Sequence, residues 1–434
     1  MYRDYFHGFS MNHVIRERAE TVAKLMNCRV CGTTDLIEVL NFGDLALTGV
    51  FPATREEQIS SGEVRLLVCN DCGLVQLGDT FPPEEMYGDN YGYRSGLNAS
   101  MVSHLKRIAS RLEIRSNLKP TQTVLDIGAN DGTLLRSYGV EGINRIGIDP
   151  TIAKFSEFYE QDNETSSVKT VADFFSANNF DAVSEDRASI VTSIAMFYDL
   201  DNPVAFAKDV KHCLTPEGIW YFEQSYMPWM LRSGAYDTIC HEHLEYYSLT
   251  TIRRILDDAG LYLIDAATNA VNGGSISVLA SPSPGAGVSV YAQWLLEQEA
   301  EAKVHEPATW VEFRNRVEQR QYDLKSLLER LKDSGASVMG LGASTKGNVL
   351  VMTTPVTEEL VSKVGDVNPY KYGRFLPGSH IPIVSEEEVL AENPDYLLIL
   401  PWHFRETFME RLQPYLAGGG RLIFPLPDLE VVGY

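Results

Sequence analysis

The stretch Thr123-Val-Leu-Asp-Ile-Gly-Ala-Asn-Asp-Gly-Thr-Leu-Leu135 constrains the fold more than any other part of the chain. A short apolar run ends in a turn of small and acidic residues, and a helical pattern follows. That is the first strand–helix unit of a doubly wound α/β sheet, with its ligand crevice at the carboxyl end of the strand. Arg145-Ile-Gly-Ile-Asp149 reads as the next strand, and residues 189–195 as a later, buried one. Gly218-Ile-Trp-Tyr-Phe-Glu223 reads as another, after the turn Thr215-Pro-Glu-Gly218. Residues 261–265 and 275–279 then form a closing pair of strands around Asn272-Gly-Gly.

The same turn selects a ligand. A dinucleotide fingerprint needs G-x-G-x-x-G, which brings backbone against a pyrophosphate. Here the order is Asp126-x-Gly128-x-Asn130-x-Gly132, and Asp126 puts negative charge where a pyrophosphate would sit. The acid suits a ligand bearing cations, and S-adenosylmethionine has an ammonium and a sulfonium. Asp149, ending the second strand, suits the hydroxyls of a ribose. The competing reading is an α/β domain that binds no nucleotide.

Upstream, Cys28-Arg-Val-Cys31-Gly and Cys69-Asn-Asp-Cys72-Gly are two matching C-x-x-C-G knuckles. The two-residue gap lets both thiolates of a knuckle reach one metal, and two such pairs complete a closed, structural zinc site. Short strands at residues 38–40 and 64–68 are expected between them. Cys213 and Cys240 fall outside the pattern, and Cys213 reads as a small core residue.

Downstream, residues 286–303 and 307–332 read as helices that bridge domains. A second strand, Gly-rich turn and helix follow in Ala336-Ser-Val-Met-Gly-Leu-Gly-Ala-Ser-Thr-Lys-Gly-Asn348. This turn carries Ser344, Lys346 and Asn348 and no acid, which suits a phosphate or pyrophosphate at a helix N-terminus. Asn368 and Lys371 stand in a further polar turn. The two α/β units thus differ in the sign of their turns: acidic for a cationic donor, cationic for an anionic acceptor such as a nucleotide sugar. A second unit that merely packs against the first is the alternative.

Between the strand Gly218-Ile-Trp-Tyr-Phe-Glu223 and a helix starting near Leu249 lies Cys240-His-Glu-His-Leu-Glu245. It is not the zinc-protease motif H-E-x-x-H, because Glu245 stands four residues after His241. If the segment is extended, His241 and His243 share one side and Glu242 the other. A histidine or a desolvated carboxylate there can remove a proton. A hydrogen-bonded polar loop is the competing reading. In the connector, Tyr91 and Tyr93 of Asn90-Tyr-Gly-Tyr-Arg-Ser-Gly96 read as aromatic packing between domains on spacing alone. Residues 98–113 read as a helix.

The totals bound the partners. A net charge of −22 over 434 residues argues against nucleic acid or an anionic membrane surface. No apolar run is long enough to span a bilayer, and the start has no signal-peptide pattern, so a cytoplasmic location is expected.

The chain resembles the sugar C-methyltransferases that act on nucleotide-linked 4-keto-6-deoxy sugars. The likeness rests on Cys28/Cys31/Cys69/Cys72, Tyr91-Gly-Tyr-Arg-Ser-Gly, Leu125-Asp-Ile-Gly-Ala-Asn-Asp-Gly, His241-Glu-His, Gly342-Ala-Ser-Thr-Lys-Gly-Asn and Asn368-Pro-x-Lys. It covers nearly the whole chain. It implies a zinc module at 1–80, a class I Rossmann-like methyltransferase domain at 81–284, and a C-terminal Rossmann-like α/β domain for the nucleotide sugar at 285–434. In that class a residue placed like Asp173 often contacts adenine. The resemblance further implies C-methylation at C-3 through an enolate, with Glu242 and His243 as base candidates and Tyr91 or Tyr93 near the sugar. Two positions depart from some members of the family. Cys240 stands where those members carry Tyr, and Met196-Phe-Tyr198-Asp where they carry a histidine; Tyr198 can take over a hydrogen-bonding role. Two other functions compete: an O- or N-methyltransferase for another metabolite, and a zinc-module scaffold without catalysis.

Overall fold

The computed structural model describes residues 23–81, 86, 94–159 and 168–433. Tyr91 and Tyr93 therefore lie outside the described residues. Among the described residues, the strands form three main sheets and a two-stranded ribbon.

The middle sheet runs in the order Tyr262–Asn269, Ser275–Ser281, Leu214–Ser225, Ala188–Ile194, Thr123–Ile127, Asn144–Ile148, Val168–Val171. Ser275–Ser281 runs antiparallel to both its neighbours, and the other adjacent pairs are parallel. Every residue of Thr123–Ile127 is buried, as a central parallel strand covered on both faces requires. The strand order reverses between Thr123–Ile127 and Ala188–Ile194. A crevice opens at such a switch point, here beside Asp126 and Met196.

On one face pack Pro203–Cys213, Leu249–Ala259 and Val290–Glu301. Leu249–Ala259 buries Leu249, Ile252, Ile255, Leu256 and Ala259 at helical spacing. Ser248 caps it by accepting the Thr251 amide, and the Glu299 carboxylate accepts the amides of Leu249 and Thr250 at 2.6 and 2.8 Å. A side-chain cap of this kind contributes about 1 kcal/mol. The other face is covered by Ala99–Ser116, which Asn98 caps.

The C-terminal sheet has the order Ile383–Ser385, Val364–Asp366, Val338–Leu341, Tyr396–Ile399, Arg421–Phe424, Glu430–Val432, parallel except for the last strand. Its switch point lies between Val338–Leu341 and Tyr396–Ile399. After these two strands come Ser344 and the start of the helix Thr345–Thr353, with Lys346, on one side, and the short turn Trp402–Phe404, with His403, on the other.

The zinc module is more extensive than its sequence suggests. Leu36–Ala46 and Ser61–Cys69 form a long, bulged ladder rather than two short strands. Val75–Leu77 adds a third strand, and Glu245–Tyr246 adds a fourth. One hydrophobic core then joins the parts. It contains Leu66 of the zinc sheet, Tyr236 and Cys240 before the histidines, Trp310 and Phe313 of the long helix Pro307–Asp333, and Leu341 of the C-terminal sheet.

Candidate functional site

The sulfurs of Cys28, Cys31, Cys69 and Cys72 lie within 4.8 Å of one another. Cys28 Sγ is 3.5 Å from Cys72 Sγ, and Cys31 Sγ is 3.5 Å from Cys69 Sγ. These separations are too long for disulfides. They approach the edge, about 3.8 Å, of a tetrahedron with zinc–sulfur bonds of about 2.3 Å. The neighbouring Cys72 thiol draws Cys28 down to about 5, while burial pushes Cys31 up to about 12. Four thiols so close cannot all ionise without a cation among them. The donor set fits a structural zinc ion and leaves no open coordination position.

Arg29, inside the first knuckle, carries this module to the rest of the chain. Its guanidinium donates to the Leu77 carbonyl at 2.8 Å and to Thr80 Oγ1 at 2.7 Å. Its Nε lies 3.5 Å from Asp201 and 3.7 Å from the buried Glu245.

At the middle switch point, Asp126 is buried and accepts a hydrogen bond from Thr192 Oγ1 at 2.6 Å. Burial, with Asp149 nearby, raises its carboxyl to about 7, while Thr192 opposes the shift. Asp149 Oδ2 accepts the Asn130 amide at 2.9 Å, and Oδ1 accepts both the amide and the hydroxyl of Thr151 at 2.6 Å. Gly128 has φ +75°, and a Cβ there would meet Met196 Cγ at 3.1 Å, so the turn stays open only with glycine. Gly132 is likewise in the left-handed region, against Tyr159. The connector docks on this turn: the Ser95 amide donates to Asn130 Oδ1 and the Gly96 amide to Asp131 Oδ2, both at 3.0 Å. Asp173 is exposed beyond the strand Val168–Val171 and accepts from Asn179 Nδ2 at 3.3 Å. These groups suit S-adenosylmethionine: carboxylates at the open end of the sheet, and a turn with no side chain in the way.

The His-Glu-His segment is not extended. Residues 241–242 form a turn in which the His243 amide donates to the Cys240 carbonyl at 3.1 Å, because Ile239 and Cys240 are drawn into the shared core. The expected sharing of one side by His241 and His243 is therefore replaced by three different directions. His241 is fully buried; its Nε2 donates to the Gly62 carbonyl at 3.2 Å, and its ring packs edge-on against Phe81. Glu242 turns toward Thr48, whose hydroxyl lies 2.8 and 3.0 Å from its two oxygens. His243 turns toward Tyr198, with ring centroids 4.3 Å apart.

His243 is held in one tautomer. Its Nδ1 lies 2.7 Å from the Thr238 carbonyl, so Nδ1 carries the hydrogen and Nε2 keeps its lone pair. Among the described residues Nε2 makes no hydrogen bond. Desolvation lowers the ring to about 4, so it is neutral at neutral pH. It opens on a small cleft with Tyr198, Thr238 and Tyr246. A larger groove, lined by Ile108, Arg111, Tyr221 and Leu279, contains none of the site residues.

The C-terminal turn comes close to this cleft. Lys346 Nζ donates to the carbonyl of Asn272, in the closing hairpin of the middle sheet, at 2.6 Å. Trp402 Nε1 donates to the buried Asp237 at 2.7 Å, next in the chain to Thr238. Ser344 caps Thr345–Thr353 by accepting the Gly347 amide. Asn368 caps the short turn that follows Val364–Asp366. Lys371 donates to the Ala343 carbonyl at 2.6 Å and sits 3.4 Å from Asp366. Asn348 is fully buried, and its amide is given to the Thr48 carbonyl at 2.6 Å. Thr48, Thr238, Trp402 and His403 were not foreseen. Only the last two had a signal, since they follow the strand that borders the first one at a switch point.

Comparison with known proteins agrees with these observations. Residues 28–87 match a family model described as "Putative zinc binding domain", residues 93–266 one described as "Methyltransferase domain", and residues 270–427 one described as "C-methyltransferase C-terminal domain". The C-methyltransferase NovU of Streptomyces niveus is 28% identical over 420 residues, covering 95% of this chain and 98% of that protein. Among solved structures, an S-adenosylmethionine-dependent methyltransferase from Clostridium acetobutylicum aligns with 42% of this chain and 91% of its own, at 11% identity and a TM-score of 0.33. The plantazolicin methyltransferase BpumL in complex with SAH aligns with 41% and 82%, at 14% identity and a TM-score of 0.33. The four-cysteine cluster, three family models in this order and a relative similar from end to end mark the chain as an S-adenosylmethionine-dependent C-methyltransferase with a zinc-binding module.

Proposed function

We propose that the protein methylates C-3 of a nucleotide-linked 4-keto-6-deoxy sugar through an enolate, in deoxysugar biosynthesis. The observation that carries this reading is the fixed tautomer of His243, which turns its Nε2 lone pair toward a small cleft with Tyr198 and Tyr246. A base so placed serves a carbon acid. A neutral amine, which attacks through its own lone pair, has less need of one, and product analysis separates a carbon from a hydroxyl acceptor.

In this reading the 4-keto group acidifies the hydrogen on C-3, and His243 Nε2 takes that proton. The Glu242 carboxylate, next in the chain, favours the imidazolium that forms. General-base help of this kind contributes about 10²- to 10⁴-fold. S-adenosylmethionine, when bound, supplies an electrophilic methyl group, and Asp126, Asn130 and Asp149 are the residues to hold it. Ser344 and Lys346 suit the phosphates of the acceptor, with Asn368 and Lys371 at the next strand end. Tyr198, against the His243 ring, orients the base or the sugar. Both reactants are metabolites of the cytoplasm, which is the compartment inferred.

The test is incubation with S-adenosylmethionine and a panel of nucleotide 4-keto-6-deoxy sugars, followed by mass spectrometry and NMR. A new methyl group on a sugar carbon is expected. A methyl on oxygen or nitrogen, or no turnover of any member, would overturn the reading.

A further inference from the structure

Thr48 belongs to the zinc module, yet it touches both other parts of the protein. It follows the strand Leu36–Ala46 in a turn and is fully buried. Its hydroxyl spans the two carboxylate oxygens of Glu242, at 2.8 and 3.0 Å. Its carbonyl accepts the amide of Asn348, also fully buried, from the helix Thr345–Thr353.

The neighbouring residue makes the same point independently. A Cβ on Gly49 would lie 3.0 Å from Glu242 Oε1. That is tighter than ordinary van der Waals contact, so a side chain at residue 49 would push the carboxylate by a few tenths of an ångström. One hydroxyl aimed at the carboxylate and one missing methyl beside it form a cradle.

We propose that Thr48 and Gly49 are positioning residues for the proton-transfer step: they fix the direction of the Glu242 carboxylate, whose charge acts on the adjacent His243, and Asn348 ties the cradle to the helix Thr345–Thr353. The zinc module thereby contributes to the chemistry without offering a ligand position on its metal. The requirement for a hydroxyl follows from the geometry. A buried carboxylate oxygen without its donor loses the hydrogen bond and its direction together. An ionised acceptor makes that bond stronger than a neutral one.

The inference rests on the proposed reaction, so the experiment separates the two. Proton removal can be read without methyl transfer, as deuterium uptake at the sugar carbon in D₂O with S-adenosylhomocysteine in place of the donor. The probe is the nucleotide 4-keto-6-deoxy sugar that the wild-type enzyme methylates best. Thr48→Val should slow uptake by about 10- to 100-fold, the scale of a misplaced catalytic group. Thr48→Ser, which restores the hydroxyl, should return uptake close to the wild-type rate. Calorimetric affinity for S-adenosylmethionine should stay unchanged in both, which also shows that they are folded. Gly49→Ala gives a second reading that keeps the hydroxyl and displaces the carboxylate; uptake should fall there as well. Wild-type uptake rates in Thr48→Val or in Gly49→Ala overturn the cradle. A wild-type enzyme that methylates no sugar of the panel overturns the proposed reaction, and the role of Thr48 falls with it.

Discussion

Glu245 lies opposite Gln76 in the antiparallel ladder that makes Glu245–Tyr246, just after the His-Glu-His turn, an outer strand of the zinc module, and Tyr246 lies opposite Val75. The Leu77 amide continues the ladder by donating to the Leu244 carbonyl at 2.8 Å. A two-residue strand has little stability of its own. Its position depends on the sheet it joins, and that sheet depends on its metal.

Zinc removal should therefore cost turnover as well as stability. Binding of a structural zinc ion is worth about 10 kcal/mol or more in small modules. Cys72→Ser, or chelation, is expected to lower the melting temperature and abolish methylation. Calorimetric donor affinity at the Asp126–Asp149 crevice should change least, because those residues lie on a different sheet. Full turnover by the zinc-free enzyme would contradict this dependence.

Replacing the proposed base separates chemistry from donor binding. His243→Asn is expected to lower turnover by about 10²- to 10⁴-fold, and calorimetry should show S-adenosylmethionine bound as in the wild type. If donor affinity falls instead while turnover at saturation is kept, His243 has been assigned to the wrong step.

Stability should decline on the acid side. Desolvation lowers His243 to about 4, and His403 to about 3 with Lys346 adding to the shift. The unfolded chain takes up protons at these histidines near the ordinary value of about 6.5, while the folded protein refuses them until lower pH. The unfolded state thus binds more protons between about pH 6.5 and 4, and unfolding free energy falls as pH drops through that window. Urea unfolding at a series of pH values checks this, and His243→Asn should flatten part of the slope. A slope of opposite sign would show that these rings gain protons on folding.

Donor binding should release a proton. Burial raises Asp126 to about 7 in the free protein. A cationic ligand at the crevice favours the ionised form and lowers that value. Binding of S-adenosylmethionine near pH 6–7 should therefore release protons, and affinity should rise as pH increases through 7. Calorimetry in buffers of different ionisation enthalpy measures the release. Proton uptake would mean that Asp126 does not face the cationic part of the ligand.

The parts of this protein that were legible in sequence share one physical property: they are local. The C-x-x-C-G knuckles announce a metal because two residues of spacing suffice to set a thiolate pair. The run from Thr123 to Leu135 announces a strand, a crevice and a helix because burial and turn chemistry act over a dozen residues. Asp126 and Asn130 stand only four positions apart on one turn, and Asp149, which accepts the Asn130 amide, ends the neighbouring parallel strand. Reading the His-Glu-His segment as extended failed for a non-local reason, since the core around Tyr236, Ile239 and Cys240 bends it into a turn.

What the amino-acid sequence by itself determined was the set of parts: a four-thiolate zinc site, an acidic turn and a cationic turn after the first strands of two α/β units, and the His-Glu-His segment between them in the chain. Only the tertiary structure decided how the base candidates are used. His243 is set by the Thr238 carbonyl and Tyr198, His241 is spent on Gly62, and Glu242 rests on Thr48, 194 residues away in the chain. No periodicity or spacing encodes such a pairing. It arises because three sheets bury their apolar faces in shared cores, and the polar groups carried inward must find partners wherever the packing leaves them.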